Sequence, residues 1–207
     1  MKKTATLLTL VCLSLVGLIV CSASDTATSN ATPVVASNEP FTYDAYSALL
    51  KKYVDAKGMV NYAELKKERA GLDSFVASLG SLPQQSYDGW SEQEQLAFWI
   101  NAYNVITLKA ILDNYPIKKG SLINRNLYPA NSIRQIDGVW KKLKTPVLGT
   151  PITLNDIEHE VLRKQFDEPR IHVSIVCASI SCPPLRNEAF VGEKLEEQLS
   201  DQSKRFV

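Results

Sequence analysis

The run Leu96-Ala97-Phe98-Trp99-Ile100-Asn101-Ala102-Tyr103-Asn104-Val105-Ile106 is apolar on nearly every side of a helix. A soluble helix of that kind has to sit inside a domain with neighbours all round it. Its start is marked by Ser91-Glu92-Gln93-Glu94, a hydroxyl cap with a carboxylate three residues on. Its end falls near Asn114, because Tyr115-Pro116 disfavours a further helical turn. At about 1.5 Å per residue such a helix is over 30 Å long and can span a domain. Asn101 and Asn104 interrupt it too much for a membrane span. They lie one turn apart on one face and need partners once buried. Those partners are either neighbouring loops or a catalytic group that one of the amides orients.

The flanking segments supply the cover. Upstream, Asp44 caps a helix with Tyr46, Leu49, Leu50, Tyr53 and Val54 on one face, ended by Gly58. Met59 to Tyr62 reads as an extended link. A second helix then turns Leu65, Leu72, Phe75, Val76 and Leu79 inward, and Gly80 to Gly89 is a loop. Downstream, Ile117 to Ala130 is loop-like, and Trp140, Val147, Leu148 and Ile152 among Gly138, Pro146, Gly149 and Pro151 suggest a short hairpin or edge strands.

A helix capped by Thr153 or Asn155 then covers about Asp156 to Phe166. On its wheel Leu154, Ile157, Val161, Leu162 and Phe166 form an apolar arc with Glu158 in the middle and His159 on the edge. A carboxylate facing a core costs several kcal/mol unless paired, so Glu158 requires a histidine, an arginine or backbone amides as partner. Ile171 to Cys177 reads as a buried β-branched strand that runs into a small-residue turn, Ala178-Ser179-Ile180-Ser181. A last helix from about Gly192 turns Leu195, Leu199 and Phe206 inward. The sum is a single α+β domain over residues 40–207. It is mainly helical around the long buried central helix, and its small β-sheet contains Ile171 to Cys177. The last helical pattern meets Val207 without a cap, so a truncated C-terminus is expected.

The N-terminus has the form of a targeting segment. Lys2 and Lys3 precede the apolar run Leu7 to Val20, and Cys21-Ser22-Ala23 offers small residues for cleavage after Ala23. The alternative is a lipoprotein signal with an acyl anchor on Cys21. Residues 24–39, rich in Ser, Thr and Ala, read as a flexible exported tether. The expected location is the periplasm or the exterior, with no membrane span after cleavage. Removing Lys2 and Lys3 from the 23 basic residues leaves 21 against 22 acidic ones, a net charge of −1. That balance argues against a nucleic-acid binder, which concentrates positive charge. The partner expected instead is a small-molecule or peptide substrate. Cys177 and Cys182 are the cysteines that remain after processing, in an oxidising compartment.

Four stretches carry a family resemblance. Phe98-Trp99-Ile100-Asn101-Ala102-Tyr103-Asn104, Leu154-Asn155-Asp156-Ile157-Glu158-His159, Asp167-Glu168-Pro169-Arg170-Ile171-His172 and Cys177 through Arg186 resemble the domain of unknown function 547 family. The similarity covers most of residues 90–207. It implies an exported member of that family, and it implies no reaction and no catalytic residue set.

The chemistry has to be read from the side chains. Both histidines, both remaining cysteines and Glu158 fall between residues 158 and 182. One reading is a structural disulfide, Cys177 to Cys182. An extended separation of five residues spans about 16 Å and bridged Cα atoms lie within about 7 Å, so the intervening turn would fold back. A second is a cysteine-dependent hydrolase or acyl transferase. There Cys182 is the nucleophile and His159 the base, and Glu158, Asn101 or Asn104 orients the ring. Cys177 and His172 are the reserve candidates. A third is a redox pair exchanging thiol and disulfide, and a fourth is zinc held by His159, His172, Cys177 and Cys182. The hydrolase or acyl transferase is the expected activity, without a cofactor. Its alternatives are a non-enzymatic binding or scaffold module with the bridge, or a thiol–disulfide redox protein.

Overall fold

The computed structural model describes residues 40–178 and 182–206. The targeting segment, the cleavage site, Cys21, the tether, most of the small-residue turn and Val207 lie outside the described residues.

The central helix, α5 (Glu92–Asn114), forms as its sequence demands, with both halves of the capping box between Ser91 and Glu94 closed. Every residue from Leu96 to Leu108 is buried. Around it pack α1 (Asp44–Tyr53), α2 (Tyr62–Lys67), α3 (Ala70–Ser81) and α4 (Gln84–Asp88). Three expectations need correction here. The second upstream helix is divided into α2 and α3, although Leu65 and Leu72 are both fully buried as expected. Asp44 lies in the first turn of α1, whose cap position is Tyr43, and caps nothing with its side chain. The supposed loop Gly80 to Gly89 also holds α4.

One wall of the core is aromatic. The Phe98 ring lies 5.7 Å from those of Phe41 and Trp90 and 5.5 Å from Tyr87, and the Trp99 indole donates to the Tyr87 hydroxyl at 2.7 Å.

The only sheet among the described residues is an antiparallel hairpin, β1 (Lys144–Val147) with β2 (Thr150–Thr153). Its two-residue turn places Leu148 and Gly149 at φ 50° and 73°, the positive values that match strand twist. The turn is held from outside, since Leu148 N–H donates to Leu79 O and Gly149 N–H to Gly80 O.

After β2, Thr153 caps α7 (Leu154–Asp156), which runs into a π-helical segment (Ile157–Leu162) and a closing turn, α8 (Arg163–Gln165). The arc Leu154, Ile157, Val161, Leu162 and Phe166 is buried as read. The stretch 117–130 is not all loop, for Leu122–Leu127 forms a short helix, α6.

The largest correction concerns Ile171 to Cys177. Ile171–Ser174 is a helical turn, α9, and no part of this stretch joins a sheet. The buried positions are Ile171, Ser174 and Ile175, a spacing of three and four that fits a helix. His172 is consequently exposed. The Arg170 guanidinium and backbone N–H both donate to Glu168, and the same guanidinium reaches Glu196 and Ser200 on α10 (Leu195–Phe206). These bonds hold the Glu168 carboxyl below the usual glutamate range. Its folded value is depressed, so its contribution to stability is present above the ordinary value of about 4.3 and is lost as pH falls through the lower folded value. Glu168→Gln should therefore cost about 1–2 kcal/mol at neutral pH and progressively less as pH falls through the lower folded value, read from urea melts across that range. Phe206 is also unlike its expectation: it is 42% exposed, and Gln198 and Gln202 occupy the inward face of α10 beside Leu195 and Leu199.

Candidate functional site

Buried amides, rather than neighbouring strands, hold the cysteine-bearing chain in place. Asn104 donates from Nδ2 to Ser174 O at 3.0 Å and accepts from Val176 N–H at 2.9 Å. Asn101 does the same for Phe190, donating at 2.7 Å and accepting at 3.0 Å. From the far side Gln198 grips Ala189 O and Val191 N–H, and Gln202 donates to Val173 O and Pro184 O. A side-chain amide presents the same donor and acceptor pair as a peptide group, so Asn101, Asn104 and Gln198 each replace a rung of a β-ladder, while Gln202 only donates. Sequence reasoning saw that Asn101 and Asn104 needed partners, but it gave Gln198 and Gln202 no role.

This clamped chain delivers Cys177 and Cys182 to each other at disulfide distance, with Cα atoms 6.2 Å apart. Gly58 meets it closely from α1's exit turn. With φ at 77°, a Cβ there would fall 2.5 Å from Pro184 Cβ, so only glycine fits.

The pair lines a cavity of about 460 Å³ that also receives Glu158, His159 and His172. Five of the seven candidate residues thus meet at one cavity. Asn101 and Asn104 do not line it, and Asn104 borders a second cavity of about 610 Å³. Cys182, Pro183 and Phe206 line both.

The π segment sets the orientation of this wall. Arg163 N–H bonds Glu158 O, five residues back, so the turn is wider than an α-turn and carries Glu158 to the rim of the apolar face. Its side chain stays 18% exposed and accepts from Arg163 Nη2 at 2.6 Å. The Tyr103 hydroxyl approaches its other oxygen at 3.5 Å. Burial first, then the charge of Glu158, push the Tyr103 phenol up to about 12.

His159 Nδ1 lies 3.1 Å from Asn155 O. A carbonyl oxygen only accepts, so this contact puts the proton on Nδ1 and leaves Nε2 as the basic nitrogen of the neutral ring. The group orienting His159 is therefore a backbone carbonyl, whereas Glu158 is engaged by Arg163 and Tyr103. Tyr103, Arg134, Trp140 and Lys141 also line it and were not anticipated as site residues. Of these, Tyr103 is legible only as core, Trp140 lies outside the hairpin with which the sequence groups it, and Arg134 and Lys141 come from short turns that the sequence does not signal. Among the described residues no group of three or more His, Cys, Asp or Glu converges as metal ligands, so the zinc reading has no site there. No described helix is long and apolar enough to cross a membrane.

Fold and site together define a mainly helical α+β domain with a cysteine pair in the wall of a cavity that also takes Glu158 and two histidines. The family model for DUF547, protein of unknown function, matches residues 87–207, and the chain belongs to that family. No curated protein and no solved structure matches the chain.

Proposed function

We propose that this protein is an exported thiol–disulfide exchange protein whose reactive element is the Cys177–Cys182 pair. One observation carries the reading: the pair is at bonding distance in a cavity wall, partly exposed, beside two histidines. A bridge serving only stability gains little from closing so short a loop and has no need of a cavity. In the exchange, a substrate thiolate attacks one cysteine sulfur. The substrate–protein disulfide forms as the Cys177–Cys182 bond breaks, and the departing sulfur keeps the bonding electron pair and takes a proton from a histidine. A second substrate thiol then displaces the protein sulfur. The substrate dithiol ends as a disulfide, and the protein ends with two thiols, having gained two electrons and two protons.

The orientation of His159 favours a second reading, cysteine-dependent hydrolysis or acyl transfer in the reduced protein. Nε2 is the atom that would deprotonate Cys182. Single substitutions separate the two. Under exchange, Cys177→Ser and Cys182→Ser each abolish oxidation of a dithiol peptide by the oxidised protein. Under hydrolysis, Cys177→Ser retains thioester cleavage and Cys182→Ser loses it. If neither substitution changes either activity, both readings fail.

A further inference from the structure

We infer that the lobe formed by residues 118–144 is a docking surface for an anionic lipid bilayer. The chain as a whole is nearly neutral, with formal net charge +1. Yet Lys118, Lys119, Arg125, Arg134, Lys141, Lys142 and Lys144 fall in this one stretch, every one of them exposed, against the single acidic residue Asp137.

The lobe is one stitched unit rather than a series of loops. Gln135 is 3% exposed, and its Nε2 donates to Asn124 O, Tyr128 O and Pro129 O while its Oε1 accepts from Gly120 N–H. A Cβ on Gly120 would fall 2.1 Å from Gln135 O, so the two arms meet backbone to backbone. The Arg134 guanidinium lies over the Tyr128 and Trp140 rings at 5.1 and 5.7 Å, tying the basic residues to the same base.

On this base α6 buries none of its residues, and Leu122, Ile123 and Leu127 are 71, 70 and 65% exposed. Aliphatic side chains left in water amid cations are what an interfacial segment presents to anionic headgroups. A protein partner fits less well, because a stable interface needs about 800 Å² from each side and a six-residue surface helix offers far less. The surface lies beside the site cavity, which shares Arg134, Trp140 and Lys141 with it.

The test is co-sedimentation of the full chain with phosphatidylcholine vesicles, with and without about one third phosphatidylglycerol, the expected readout being their ratio. The N-terminal run, with Lys2 and Lys3, is common to every variant, so the lobe is read from the change in that ratio between wild type and the variants. Binding should favour the anionic vesicles by tenfold or more, and the ratio should fall steeply when salt rises from about 0.1 to 0.5 M. Lys119→Glu with Arg125→Glu, neither of which lines the cavity, should abolish the preference and bring the ratio to about one. Leu122→Ser, Ile123→Ser and Leu127→Ser together should weaken anionic binding while leaving the melting curve unchanged. An unchanged ratio in the charge variant would overturn the proposal. So would polyglutamate binding as tightly as the vesicles with no loss in the serine variant, which would make the lobe a general polyanion site.

Discussion

Asn104→Ala should destabilise the domain by about 3 kcal/mol, a large share of the 5–15 kcal/mol that holds a domain of ordinary stability together. Asn104 is 3% exposed and its amide satisfies two backbone groups, Ser174 O and Val176 N–H. Removing it strands both in a place where neither strand nor helix offers a substitute, and each orphan costs about 1–3 kcal/mol. The effect is not confined to stability. Val176 immediately precedes Cys177, so loss of its anchor should also speed reduction of the cysteine pair in the folded protein. Asn104→Asp separates the two bonds, because it keeps an acceptor for Val176 N–H and sets a carboxylate against Ser174 O. Its cost should grow as pH rises and the carboxyl ionises. Urea unfolding with parallel thiol-release kinetics measures both effects, and wild-type behaviour in both would show that the amide clamp carries little.

Phe98→Ala is expected to cost more, about 3–5 kcal/mol. Phe98 is fully buried, and its ring meets Trp99 edge-on at 5.4 Å as well as Phe41, Tyr87 and Trp90. The hole left behind is ringed by large rigid side chains, which collapse into it poorly. Two of them are tryptophans, so the emission spectrum should shift even where the variant still folds. A cost below about 1 kcal/mol would mean that the aromatic wall repacks freely.

The architecture was legible wherever a local signal and a global need coincided. The capping box at Ser91, the all-round apolar course of α5 and the glycine–proline punctuation of the hairpin each point to one outcome. The apolar arc Leu154 to Phe166 also survives, though the π segment widens its turn and carries Glu158 to the cavity rim. Ile171 to Cys177 was misread because β-branched composition outweighed spacing. The helical turn takes only two such residues, Ile171 and Val173, and Arg170 and Ser174 tie it down. Beyond the turn Ile175 is extended, as a strand residue would be, but the chain there is bonded by the Asn104 amide from α5 in place of a neighbouring strand. Nothing in a sequence marks a glutamine as such a rung. The gathering of Glu158, His159, His172, Cys177 and Cys182 was readable from their crowding between residues 158 and 182. The cavity's far wall of Tyr103, Arg134 and Trp140 was not, because it is assembled across long separations by packing alone.

The central claim is that the Cys177–Cys182 pair is an exchangeable bridge in a folded domain. The most direct test equilibrates the native protein in glutathione buffers of graded potential, then alkylates it and counts modified thiols by intact mass. Exchange predicts no modified thiol on this pair at the oxidising end and two at the reducing end. The fold should be retained throughout, with the midpoint between about −120 and −270 mV, the range of known exchange proteins. A bridge that stays closed below about −300 mV while the domain is folded would mark it as structural and contradict the claim. Two free thiols under every condition would contradict it equally.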